Sequence, residues 1–93
     1  MRISKKFKNQ FTEMSEKHPD CLFFMGIGDH YITFGDVCDK VSKILDVPVT
    51  RTMAKDFTAK QVILPSAWSR MNVYIDKLRK HFARIALCDQ LQR

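Results

Sequence analysis

The chain has 93 residues and a formal net charge of +6, and 45% of its residues are hydrophobic. A chain of this length forms one domain around one core, here residues 1–93, and is too short for a motor ATPase or a two-domain enzyme. The composition excludes a disordered protein, and no apolar run reaches the roughly 18 residues of a membrane span. No apolar stretch follows the basic residues of the N-terminus, so we expect a cytoplasmic protein without a signal peptide.

The positive charge is unevenly distributed along the chain. Residues 1–17, 47–70 and 71–93 each carry a net charge of +3, whereas residues 18–46 carry −3. A small basic domain favours polyanionic partners, and nucleic acid is the first of these. The alternative is that most of the lysines lie on solvated helix faces.

Cys21, Cys38 and Cys88 are odd in number and widely spaced. They form no C-x-x-C pair and have no histidine at zinc-finger spacing, which argues against a zinc site. We therefore predict three small buried thiols in a reducing compartment.

The first third of the chain reads as a helix followed by a β-hairpin. A helix is predicted over residues 4–17, because apolar residues recur at Phe7, Phe11 and Met14 and Ser4 can cap the first turn. Residues 21–27 form a continuous apolar run, typical of a strand buried on both faces. A turn at residues 28–29 then joins this run to a second strand over residues 30–34.

The middle of the chain predicts a second helix that begins at Asp36, a natural N-cap. Asp39 and Lys43 are spaced for an ion pair on its surface. Residues 47–50 should be extended because Pro48 fits poorly in a helix. Residues 51–60 are predicted to form a basic loop and residues 61–64 a short strand.

The longest predicted helix spans residues 67–82. Its apolar residues repeat at spacings of three and four, which predicts one buried face. These residues are Trp68, Met71, Ile75, Leu78 and Phe82. A last strand over residues 84–88 completes the order α-β-β-α-β-β-α-β. The fold class is therefore α+β, a mixed sheet of about five strands packed with three helices.

The chain shows no motif for catalysis. The phosphate-binding sequence G-x-x-x-x-G-K-[ST] is absent, and so is the nucleophile elbow G-x-S-x-G. Asp29, His30, Asp36 and Asp39 could be considered as a nuclease metal cluster, but the last two fit better at a helix start. We therefore expect no enzyme, no metal and no cofactor.

Residues 11–37 read F-x-x-M-x-x-K-H-P-D-C-L-F-F-M-G-I-G-D-H-Y-I-T-F-G-D-V. This order of signals resembles the N-terminal domain of the DNA mismatch-repair MutS family. Further similar segments follow in order, namely residues 45–50, 64–65, 74–78 and 85–90, so that the resemblance covers about 80 positions. It implies a MutS N-terminal-like fold, and we expect the recognition domain standing alone, without the family's ATPase.

The resemblance also implies a function in binding duplex DNA from the minor groove. In that family a Phe-x-Glu motif follows Gly-Asp; the Phe is wedged beside a mispaired base and the Glu hydrogen-bonds that base. Here the two positions hold His30 and Ile32, and Tyr31 between them is kept. His30 could stack on a base and Ile32 could act as a wedge, but the carboxylate acceptor is missing.

The sequence therefore predicts a non-catalytic DNA-binding domain related to mismatch recognition, with duplex DNA, matched or mismatched, as partner and no membrane. His30, Tyr31 and Ile32 are expected to face the groove. Basic residues of the first helix and of the predicted loop are expected to contact phosphates, namely Lys5, Lys6, Lys8, Arg51, Lys55 and Lys60. The alternative is an interaction module that has lost mismatch recognition and binds a protein, such as a repair protein or a second copy.

Overall fold

The structure, a computed structural model, describes residues 3–52 and 57–89. Its helices are α1 (Lys5–Glu16), α2 (Val37–Leu45) and α3 (Trp68–Leu78). Its strands are β1 (Leu22–Ile27), β2 (His30–Phe34), β3 (Thr50–Arg51), β4 (Lys60–Pro65) and β5 (Ile85–Asp89). The predicted order of elements and the α+β fold class are both confirmed, and the predicted bounds differ from these by a few residues at most.

The five strands form one mixed sheet in the order β3-β4-β2-β1-β5. Neighbouring strands are antiparallel except for β1 and β5, which are parallel. The β1–β2 turn contains Gly28 at a φ of 56°, a left-handed conformation that glycine adopts without strain. We call the end of the sheet that carries this turn the hairpin end. The opposite end, where β2 finishes at Phe34, is called the Phe34 end.

Helices cover both faces of the sheet. Phe23 and Met25 pack into the cluster beneath α1, whereas Leu22 and Phe24 pack into the cluster beneath α2 and α3. Successive side chains of a strand point to opposite faces, so this division follows from the pleat. It explains why β1 is a continuous apolar run, as predicted for a strand buried on both sides.

Helix α1 is held by a cap and by aromatic packing. The Ser4 hydroxyl accepts a hydrogen bond from the Phe7 amide at 3.1 Å, as expected of an N-cap. The Phe11 ring meets the rings of Phe23 and Phe34 edge-on, with centroids 5.2 and 4.9 Å apart. These contacts fix the helix over the Phe34 end of the sheet.

Helix α2 differs from expectation in its polar contacts. Asp36 occupies the N-cap position, but its side chain makes no capping hydrogen bond. Asp39 binds Lys60 of β4, with 2.7 Å between its Oδ2 and the lysine Nζ, and the predicted pairing with Lys43 is not found among the described residues. The first turn of α2 lies beside the start of β4, and this tertiary neighbour cannot be inferred from helical spacing.

Helix α3 is shorter than predicted, and its first residue is not in the core. The side chain of Trp68 is 67% exposed, although Met71 and Leu78 of the same predicted stripe are buried. β4 ends at Pro65, so α3 begins beyond the last paired residues of the sheet. The sheet therefore does not extend under Trp68, and the prediction that this residue belongs to the buried stripe is wrong.

Candidate nucleic-acid interface

The hairpin end carries two of the three residues predicted to face DNA. His30 pairs with Ile27 of β1 and with Pro65 of β4, so it lies at the last position of the sheet. Tyr31, the next residue, lies on the opposite face and packs at the edge of the cluster under α2 and α3. Both side chains are half-buried and keep a surface toward solvent.

The structure corrects the expectation that Ile32 faces the groove. Ile32 has no exposed surface and packs with Phe7 and Phe34 in the cluster beneath α1. A wedge must leave the protein surface to enter a base step, so Ile32 cannot serve as one without disrupting the core. The same alternation that places it on the face of His30 also places it under α1.

At the hairpin end, a side-chain pair that the sequence does not predict spans three adjacent strands, β2, β1 and β5. Gly26 of β1 pairs with Tyr31 of β2 on one side and with Asp89 of β5 on the other. A Cβ atom at Gly26 would lie 3.0 Å from Asp89 Oδ1 and 3.3 Å from Tyr31 Cε1. The absent side chain at Gly26 therefore lets the phenol and the carboxylate approach each other across the middle strand.

This pair is electrostatically coupled. Partial burial raises the pKa of Tyr31, and the negative charge and hydrogen bonding of Asp89 raise it further. The neutral phenol is thus a hydrogen-bond donor held beside a carboxylate acceptor. The role of Asp89 was missed in the sequence, where it appears only as the end of a strand, because the parallel pairing of β1 with β5 joins distant segments.

A polar cleft of about 440 Å³ opens at this pair and is lined by Gly26, His30, Tyr31, Ser66 and Asp89, among others. The Ser66 amide donates to the Asp29 carbonyl at 2.8 Å, which ties the start of α3 to the β1–β2 turn. Trp68 follows two residues later. The exposed indole therefore lies at the same end of the molecule as the cleft.

The basic residues predicted to contact phosphates lie mainly at the Phe34 end. Lys8 Nζ donates to the Thr12 hydroxyl at 3.0 Å and stands 5.6 Å from the Phe34 ring centroid. Lys5 and Lys6 are exposed within one helical turn of Lys8. Arg51 is exposed on the edge strand β3 and pairs with Lys60 of β4, which is also predicted to contact phosphates.

Two of the residues predicted to contact phosphates, Lys60 and Lys55, differ from the others. Lys60 is paired with Asp39, whose hydrogen bond and charge raise the pKa of the lysine. Its charge is therefore already partly neutralised. Lys55 lies outside the described residues.

The structure separates the basic residues from His30. Arg51 and Lys60 form one register pair of the sheet, and His30 and Pro65 form another, five residues further along β4. At about 3.4 Å per residue this separation is roughly 17 Å. That length corresponds to about five phosphates along one DNA strand. The predicted residues thus form two groups at opposite ends of the sheet.

The cysteines are less uniform than predicted. Cys38 is buried, and loss of solvent raises the pKa of its thiol to about 11, but Cys21 and Cys88 are only half-buried. Within residues 3–52 and 57–89, no group of three or more His, Cys, Asp and Glu side chains is arranged to hold a metal ion. Over the same residues, no helix has the length and apolarity to cross a membrane.

Comparison with known proteins identifies the family. The family model described as MutS domain I matches residues 5–93. The DNA mismatch repair protein MutS of Flavobacterium psychrophilum is 36% identical over 83 residues, which is 89% of this chain and 10% of that protein. The DNA mismatch repair protein MutS of Thermus aquaticus is 29% identical over the same share of the chain and 10% of its own length. The chain thus spans about a tenth of these relatives, and it belongs to the MutS domain I family.

Proposed function

We propose that this chain is a non-catalytic DNA-binding domain with a role in mismatch recognition during DNA repair. The observation that carries the proposal is the match to MutS domain I over residues 5–93, together with relatives whose name is DNA mismatch repair protein MutS. The net charge of +6 supports it, because lysines and arginines that neutralise phosphates supply most of the affinity of such domains.

The two groups of site residues have different parts in this proposal. Exposed cations at the Phe34 end, above all Lys5, Lys6 and Arg51, contact phosphates and set the position of the duplex. The hairpin end contacts the bases, with His30 and Tyr31 at its surface. Lys60 contributes only when a phosphate replaces Asp39 as its partner. Ile32 supports the hairpin from the core and makes no DNA contact.

The experiment is a binding titration followed by the anisotropy of dye-labelled duplexes, one fully matched, one with a single mismatch and one with a single unpaired base. We expect binding to all three that weakens between about 50 and about 200 mM salt, with tighter binding to the two imperfect duplexes. Arg51→Glu should weaken binding to all three alike, because a phosphate contact carries no sequence information.

The matched control is Lys77→Glu, which makes the same charge change on an exposed residue of α3 outside both groups. It should leave affinity closer to that of the wild type than Arg51→Glu does. Failure of the wild type to bind any duplex at the lower salt concentration would contradict the proposal. Self-association or capture of a repair protein by such an inactive domain would then favour the interaction module.

A further inference from the structure

The two edge strands of the sheet differ in how well they are protected against pairing with another chain. β3 has only two residues, and both are exposed, one of them the charged Arg51. β5 has five residues, and its run over residues 85–88 contains neither a charge nor a proline, which are the features that commonly block an edge. Within residues 3–52 and 57–89, no strand covers the outer side of β5. β5 is therefore the edge that can accept a further strand.

The backbone of β5 determines which of its residues can pair outward. The Leu22 amide donates to the Arg84 carbonyl at 2.9 Å, and Leu22 lies in register with Ile85. Arg84 and every second residue after it therefore direct their N–H and C=O groups toward β1. The residues between them direct these groups to the open side, namely Ile85, Leu87 and Asp89.

The outer side of β5 also presents apolar side chains on both faces of the sheet. Ile85 and Leu87 are half-buried and line a cleft of about 270 Å³, which Arg79 of the α3 C-terminus also lines. Ala86 and Cys88 are half-buried on the opposite face, at the margin of the cluster beneath α1. A strand added to β5 would thus cover apolar surface on both faces while it pairs the free backbone groups.

We propose that β5 pairs with β5 of a second copy of this chain, antiparallel about a two-fold axis at Leu87. Two identical edges that are related by a two-fold axis run antiparallel. Only residues that direct their backbone groups outward can exchange hydrogen bonds across the axis. The register centred on Leu87 is the one in which all three outward residues find partners, since Leu87 faces its equivalent and Ile85 faces Asp89 of the second copy.

The charges around β5 favour a second copy in this arrangement. Arg84 immediately precedes the strand and Asp89 ends it, so antiparallel pairing brings the basic end of one copy to the acidic end of the other. Asp89 of the second copy also arrives opposite Ile85, beside the cleft that Arg79 lines. The net charge of +6 on each copy opposes association in general. The affinity therefore has to come from these local contacts and from the apolar pairing at Leu87.

The inference goes beyond the proposed function and is tested without DNA. Sedimentation of the wild type over a range of protein concentrations should show a monomer–dimer equilibrium that ends at the dimer. Amide hydrogen exchange of Ile85, Leu87 and Asp89 should slow as the concentration rises, because their N–H groups become paired. Exchange at Arg51, on the opposite edge strand, should not change with concentration.

A cysteine pair tests the register. In the proposed dimer Ala86 of one copy faces Cys88 of the other at a position without hydrogen bonds, where facing side chains come closest. Ala86→Cys in a Cys21→Ser background should therefore give disulfide-linked dimers on oxidation. The control is Thr50→Cys in the same background, which puts a thiol on the exposed β3 edge and should give few such dimers.

Leu87→Lys tests the contact at the axis. It places two like charges opposite each other and should raise the dimer dissociation constant at least about tenfold. A lysine at this half-buried position can extend its charged end to solvent, so the monomer should stay folded, which circular dichroism checks. Val73→Lys adds the same charge at an exposed residue of α3 and should leave the dimer unchanged.

The outcomes separate this inference from the proposed function. A wild type that stays monomeric at every concentration would overturn the dimer, and DNA binding by that monomer would leave the proposed function intact. A dimer that persists in a folded Leu87→Lys variant, or that Ala86→Cys does not link, would assign the contact to another surface and overturn the inference. Should Leu87→Lys fail to fold, the cross-linking and the hydrogen exchange decide. A β5-paired dimer without DNA binding would support the inference and contradict the proposed function.

Discussion

At the scale of single residues, Ile32 shows how one position can change the chemistry of a surface. The resemblance places an acidic residue here, but in this chain the side chain completes the core beneath α1. An isoleucine fills this space without a polar group that needs a partner. The consequence is that restoring a carboxylate at position 32 is a change to the core and not a change to the surface.

We predict that Ile32→Glu destabilises the domain by about 3 kcal/mol or more, because it buries an unpaired carboxyl group in apolar surroundings and removes packing. Urea denaturation measures this loss. The control is His30→Phe at the half-buried neighbouring position, which should cost far less. If Ile32→Glu were as stable as the wild type and gained mismatch preference, Ile32 would belong to the surface and its burial would be contradicted.

Tyr31 offers a second test at the same scale. Its raised pKa means that the folded state favours the protonated phenol. The resulting stabilisation is complete below the ordinary tyrosine pKa, near 10, and is lost as the pH rises through the higher value of the folded protein. Stability should therefore fall in strongly alkaline solution.

We predict that Asp89→Asn lowers the pKa of Tyr31, because it removes a negative charge and leaves only a neutral, weaker acceptor, while the burial of the ring is unchanged. Tyr74 is the other tyrosine of the chain, so ultraviolet titration in a Tyr74→Phe background follows Tyr31 alone. Asp76→Asn, at an exposed carboxylate of α3, is the control. An equal effect of both amide substitutions would show that no specific Tyr31–Asp89 pair exists.

At the scale of elements, the first turn of α2 is paired with Lys60 of β4, one of the residues that we propose as phosphate contacts. Asp39 holds Lys60 at 2.7 Å across the gap between α2 and β4. Both side chains are partly exposed, so the pair is screened by salt and adds little to stability. Under the proposed function, the pair would instead compete with a DNA phosphate for the lysine.

We predict that Asp39→Asn strengthens DNA binding and steepens the dependence of log K on log salt by about one unit, because Lys60 becomes free to neutralise a phosphate. Lys60→Gln should have no such effect on the slope, since the paired lysine contributes little in the wild type. Asp76→Asn, the same change at an exposed carboxylate of α3, serves as control. Unchanged affinity and slope in Asp39→Asn would place Lys60 outside the DNA contact.

At the scale of the whole molecule, local patterns predict the elements better than they predict the site. The apolar spacing of Phe7 and Phe11, the run at β1 and the turn at Gly28 are all local, and each element lies where its pattern places it. The exposure of Trp68 and the position of Asp89 depend instead on where the sheet ends and on which strands pair. Those are properties of the assembled fold, which no short window of sequence contains.

In the whole molecule, the exposed cations and the hairpin residues lie at opposite ends of one sheet. We therefore propose that the cations contact phosphates while the hairpin residues contact bases. The most direct test is the affinity for duplex DNA across a series of salt concentrations. If about four cations contact phosphates, log K should fall with log salt at a slope of about −3.6. Binding with that slope, and tighter for a duplex with an unpaired base than for a matched one, is the result we predict. Absence of binding at low salt, or binding that does not change with salt, would contradict the proposal that this domain binds DNA through phosphate contacts.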